Sequence, residues 1–149
     1  MGSDFTEPLY IIMGKAKRIG TAAETSVVKY MIKCGYPDTK RVVLHGEKDE
    51  GDIHINCDKY GVPNIIIEVK SRNHEANYKE VQGFMNELQR ECANTWGDNI
   101  LDSYKGYLII KRPGKGKVED WWLCWNEIIN NNDIIVRCRV GDYFKIKDN

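Results

Sequence analysis

No apolar run in the chain is long enough to cross a membrane, so no membrane partner is expected. Near its beginning, Met1-Gly-Ser-Asp-Phe5, there is no basic stretch followed by an apolar segment, so a secretory leader is not expected. No Cys-x-x-Cys pair occurs. The five cysteines, Cys34, Cys57, Cys92, Cys124 and Cys138, are odd in number and widely spaced. Such cysteines read as reduced and part-buried, not as a disulfide frame or a zinc site. His45 and His54 are not at metal-ligand spacing with a second histidine. Net charge is also missing: 22 Lys and Arg offset 22 Asp and Glu. That excludes a protein that simply coats nucleic acid. It leaves room for one that gathers acids in a site and bases on a surface. At 149 residues, 42% of them hydrophobic, the chain reads as one domain, 1–149, able to bury a core.

The most informative stretch is 51–72. Asn64-Ile-Ile-Ile-Glu-Val-Lys70 has the β-branched density of a strand, with Gly61-Val-Pro63 as a turn before it. Residues two apart on a strand share a face. Glu68 and Lys70 therefore point one way and Val69 points into the opposite layer. A carboxylate and an ammonium at the end of an apolar strand are costly without a purpose. A divalent cation held by Asp52 and Glu68, with Lys70 beside an attacking water, supplies one.

Four elements stand in order: Gly20-Thr-Ala-Ala-Glu24, Arg41-Val-Val-Leu-His45, Gly51-Asp52-Ile53 and Ile67-Glu68-Val69-Lys70. Together they resemble the PD-(D/E)xK nuclease signature. They are most similar to the Holliday junction resolvases of archaea and the resolvase-like nucleases of bacteriophages. The resemblance covers roughly residues 15–112, and Gly51 stands where the signature has proline. It implies a restriction-endonuclease-like α/β fold: an α-β-β-β-α-β core whose mixed sheet is flanked by helices. It implies a Mg²⁺-dependent endodeoxyribonuclease, with Mn²⁺ able to replace Mg²⁺. In that family's terms Asp52, Glu68 and the Val69 backbone carbonyl hold the metal, and Glu24 joins them. Lys70 orients or deprotonates the water, or stabilises the developing charge. The expected setting is DNA recombination on branched or junction DNA, by a homodimer, in the cytoplasm of a bacterium or a phage-infected cell. Two cuts on a symmetric junction need two sites related by a two-fold axis. Two other readings stay open: a restriction or repair nuclease of the same superfamily, and a catalytically silent DNA-binding module on this fold.

The rest of the chain fits around these elements. Residues 21–34 read as a helix with Ala23, Val27, Met31 and Cys34 on one face, Thr21 as its cap and Gly35 as its stop. Thr21-Ala-Ala-Glu24 is also a capping box, a bland alternative for Glu24. Strand signals lie at 41–45, 52–57 and 64–70. Val81, Phe84, Met85, Leu88 and Cys92 mark a second helix ending between Asn94 and Gly97. Strands are expected at 104–111, 121–125, 134–140 and 143–146, the last two joined by a hairpin at Gly141-Asp142. They give a β-rich C-terminal addition at about 119–149. Trp121, Trp122 and Trp125 read as core or dimer interface. Two basic patches are candidates for DNA phosphates: Lys15, Lys17 and Arg18, and the glycine-bearing stretch Lys111, Arg112, Lys115 and Lys117. Arg72, just past the Glu68 strand, is a further candidate.

Overall fold

The computed structural model of the chain describes residues 20–43 and 49–148. Lys15, Lys17 and Arg18, and the expected strand residues 44–45, lie outside this set. Helix α1 runs over residues 20–33. It buries Ala23, Val27, Tyr30, Met31 and, just past its end, Cys34. Gly35 stops it at φ +101, a backbone region that suits glycine. The Tyr36 N–H closes the last turn onto Met31 O at 3.1 Å. Thr21 does not cap this helix. Residue 20 is already helical, so Thr21 lies inside the turn, and its carbonyl accepts from Thr25 Oγ1 at 2.9 Å. The capping box expected around Glu24 is therefore not formed.

Among the described residues six strands follow: β1 (Lys40–Arg41), β2 (Ile53–Ile55), β3 (Ile65–Ser71), β4 (Lys105–Lys111), β5 (Trp122–Ile129) and β6 (Asn132–Arg139). They form one mixed sheet in the order β1-β2-β3-β4-β5-β6. Only β3 and β4 are parallel, with Glu68 beside Leu108 and Lys70 beside Ile110. A parallel neighbour needs a crossover, and helix α2 (Tyr78–Trp96) supplies it. Asn77 caps α2 and Glu80 completes a capping box. Gly97 ends it, within the span expected from sequence.

Strand alternation sorts the side chains into two cores. Ile53, Ile55, Ile65, Ile67, Tyr107 and Ile109 pack with α1. Ile66, Leu108 and Ile110 pack with Val81, Phe84, Met85 and Leu88 of α2. The result is an α/β architecture with a helical layer on each face of the sheet.

The tail departs from expectation. The last hairpin turns at Asn130-Asn131, with φ 52 and 64, not at Gly141-Asp142. Two successive left-handed residues match the twist of paired strands, and asparagine tolerates them. Val140–Tyr143 is a helical turn, α3, and residues 143–146 form no strand. Gly141 serves close packing: a Cβ there would sit 2.8 Å from Glu119 Cβ and 3.1 Å from Glu119 O. Val140 and Phe144 are drawn into the α1-side core, and Tyr30 Oη donates to Phe144 O at 2.6 Å. All five cysteines are free. No helix among the described residues is long and apolar enough to cross a membrane.

The caps lead to a paired expectation. Asn77→Ala should cost about 1 kcal/mol of stability, because it leaves the Glu80 N–H without its acceptor. Thr21→Ala should change stability by less than about 0.5 kcal/mol. Urea denaturation of both variants reads the difference, and equal losses would contradict the assignment.

Candidate metal centre

The site is built where β2 begins and β3 nears its end. Gly51 precedes Asp52 at φ +92, and a Cβ there would lie 2.5 Å from Ile66 Cγ2. Proline is locked near φ −65° and so does not fit this backbone. The departure from the proline of the signature thus has a local cause. The segment before Asp52 is tied to α2. Asn94 Nδ2 donates to Asp49 O at 2.8 Å, and Thr95 Oγ1, which donates to Glu91 O at 3.0 Å, lies 3.4 Å from Glu50 O. His54 Nε2 lies 2.7 Å from Glu50 O, so that nitrogen carries the proton. Burial pulls its pKa down. His54 is a structural histidine.

Asp52 Oδ2 accepts from the Val69 N–H at 2.8 Å. The side chain thereby fastens the end of β2 to β3. In an extended strand a residue's N–H and C=O point to the same neighbour, so the Val69 carbonyl is turned toward Asp52 as well. Glu68 is 3% exposed, on the α2 face. It meets Asp52 on one side and Glu91 of α2 on the other. Lys70, two residues on, pairs with Glu87 of α2 at 2.9 Å, and its Nζ sits 5.5 Å above the Phe84 ring. Glu24 reaches in from α1: Arg41 donates to its Oε2 at 2.9 Å, and Asp52 lies beside it. Glu24, Asp52, Glu68 and Glu91 thus form a row of carboxyls running from one helical layer through the sheet to the other.

Sequence reasoning missed Glu87, Glu91 and Asp49. Glu91 is 2% exposed, and neither of its oxygens has a hydrogen-bond partner among the described residues. Its neighbour Glu68 is itself a carboxylate and has no proton to share when both are ionised. A signal existed: Glu91 falls among the buried positions Leu88 and Trp96 of α2, where an acid is out of place.

Electrostatics follow from burial. Burial, then Glu68, pushes Asp52 up to about 8. Burial, with Glu91 adding to it, also holds Glu68 far above the usual carboxylate range. Burial pushes Glu91 up to about 7, with Asp49 and Asp52 adding repulsion. Burial and Asp52 raise Glu24 despite Arg41. Burial pulls Lys70 down, but Glu87 and Glu68 outweigh it, and the ammonium is held above its ordinary value. Crowded buried carboxyls, with both Glu91 oxygens orphaned among the described residues, fit a hard divalent ion. Mg²⁺ takes such oxygen donors and keeps several waters.

A cavity of about 440 Å³ opens beside this row, where the parallel strands β3 and β4 end. Val69, Lys70 and Arg72 line one wall; Lys111, Arg112 and Gly114 line the other. Arg72 lies 4.8 Å over the Phe84 ring, and its side chain is exposed. Arg112 is engaged: it bonds Glu75 at 3.1 Å and Asp120 O at 3.2 Å, and stacks on Trp122 at 4.1 Å. Lys111 Nζ sits 5.7 Å over Trp121. Lys115 gives its carbonyl to Trp121 Nε1 at 2.8 Å, while its side chain and that of Lys117 are exposed. No family model, curated protein or solved structure matches the chain.

The raised carboxyls fix a sign. The folded state holds protons that the unfolded chain releases, so their contribution to stability falls as pH rises from the ordinary carboxylate value, 4.5, toward about 7 for Glu91. Glu91→Gln removes that loss. In metal-free buffer it should stabilise the protein at pH 8 by about 1–3 kcal/mol, the scale of an unpaired buried polar group. The gain should be much smaller at pH 5. Urea melts of both proteins with chelator at the two pH values make the test, and a gain independent of pH would contradict the burial argument.

Proposed function

We propose that the chain is a divalent-metal-dependent endodeoxyribonuclease of the PD-(D/E)xK type, resolvase-like and acting on branched DNA as a homodimer. The observation that carries this reading is the convergence of Asp52, Glu68 and Lys70. Asp52 precedes β2, Glu68 and Lys70 share one face of β3, and they are brought together where the two strands adjoin, with the Asp52 carboxylate on the Val69 amide at 2.8 Å. The order α1-β1-β2-β3-α2-β4 supports a restriction-endonuclease-like core.

In this reading Asp52, Glu68 and the Val69 carbonyl would hold Mg²⁺, or Mn²⁺ in its place, with Glu24 beside Asp52. When bound, the cation would supply positive charge for the phosphoryl oxygens and a more acidic water. The chain's own residues do the rest. Asp52 uses one oxygen to stay fixed on β3 and keeps the other for the site. Glu87 holds Lys70 as an ammonium ion, so Lys70 acts through its charge, orienting the water and offsetting the negative charge that grows on phosphate. Arg72, which lines the cavity, and the exposed Lys115 and Lys117 of the loop after β4 hold neighbouring phosphates in this reading.

Side-by-side incubation of a four-way junction, a flap and a linear duplex with Mg²⁺ tests the reading. Paired symmetric cuts in the junction are expected. Fixed-position duplex cutting would assign a restriction or repair enzyme, and binding without cutting a silent module. Asp52→Asn and Glu68→Gln should abolish cleavage and leave DNA binding largely intact. Lys70→Ala should lower the single-turnover rate by about two orders of magnitude. Near wild-type turnover in any of these would remove that residue from the mechanism.

Neutralising Lys115 and Lys117 together should weaken binding to every sequence. It should also flatten the logarithmic salt dependence by about two units of slope. An unaltered slope would leave the loop as solvated surface.

A further inference from the structure

We propose that Asp49, Glu68 and Glu91 hold a divalent cation of their own, of the Ca²⁺, Mg²⁺ or Mn²⁺ class, on the α2 side of Glu68. One oxygen from each carboxylate lies within 4.8 Å of the other two. Oxygens bound to one such ion at about 2.0–2.6 Å sit no more than about 5 Å apart, so the three are spaced as ligands of a single ion.

The second observation is Glu91. It is 2% exposed, aimed into this group, and has no donor for either oxygen among the described residues. A buried carboxylate in that state needs a cation or a proton. The nearby ammonium is committed elsewhere, since Lys70 pairs with Glu87 at 2.9 Å. Asp49 is exposed, which gives the ion a way in from solvent. The donors are all hard oxygens, without histidine or cysteine, which selects against zinc and copper.

The three ligands come from the segment before β2, from β3 and from α2. A hydrogen bond from Asn94 to Asp49 O at 2.8 Å already ties the first of these to the third, with the Thr95 hydroxyl in longer contact with Glu50 O at 3.4 Å. The cation would add a stronger tie across the same gap and fix the short segment that delivers Asp52. The site does not depend on DNA cleavage, although it shares Glu68 with the set proposed for it.

Manganese titration of the full chain, followed by electron paramagnetic resonance of free Mn²⁺, tests the site without any nuclease assay. Wild-type protein should bind two Mn²⁺ per chain. Glu91→Gln and Asp49→Asn should each lose one, with at least a ten-fold weaker constant, and keep the other. Asp52→Asn should show the reverse. Circular dichroism checks each fold, and Asp49→Asn, at an exposed position, stands in should Glu91→Gln fail to fold. A single wild-type ion that is lost with Glu91 and Asp49 but kept in Asp52→Asn would support this site and count against the other. Retention of full binding by either a folded Glu91→Gln or Asp49→Asn, a single ion lost only with Asp52, or no ion at all would overturn the proposal.

Discussion

The structure depends on one crowding: carboxyl groups held together out of water around Glu68. Each ionised member penalises the others, because the interior screens charge poorly. Hydrophobic packing keeps them there. Ile66 and Leu108 share the α2-facing side of the sheet with Glu68, and Ile53 and Ile67 anchor β2 and β3 against α1. The apolar cores are buried, and they hold the acids in place against their mutual repulsion. Such an arrangement has a use when something positive enters, and that physical logic underlies the whole functional reading.

The backbone around Asp52 shows how narrowly the site is made. Gly51 turns the chain through a left-handed conformation in contact with Ile66, and the Asp52 side chain then reaches the Val69 amide at 2.8 Å. That hydrogen bond continues the pairing of β2 with β3 beyond Ile53, the first residue of β2. It orients a carboxylate that would otherwise rotate freely, and it joins the two strands that carry the acids.

Much of the fold was legible because periodicity is local. The alternation of β3 placed Glu68 and Lys70 on one face and Val69 on the other, and the apolar stripe of α2 located that helix. Two misreadings came from chemistry that only tertiary contact decides. Thr21 looked like a cap because its spacing to Glu24 was right, yet the helix already includes the residue before it. Gly141-Asp142 looked like a turn, yet the glycine is there to let α3 approach Glu119. Within the site, Asp52, Glu68 and Lys70 stood out through their order along the chain. Glu87 and Glu91 were passed over, because a helix rich in acids is ordinary. Glu91 falls on the apolar stripe of α2, but only the packing of the helix on the sheet shows what it and Glu87 meet.

Those two acids sit four residues apart on α2, so they lie one turn from each other on the same face. One holds the ammonium of Lys70 and the other closes on Glu68. The helix therefore works as a key whose two teeth engage neighbouring residues of a single strand. Its angular setting, fixed upstream by the Asn77 cap and the Phe84 contact, governs both charges at once. One residue inserted between that cap and Glu87 would rotate both teeth by about 100° and disengage them together. The length of α2 between its cap and Glu87 is therefore held more tightly than the identity of its solvent-facing side chains.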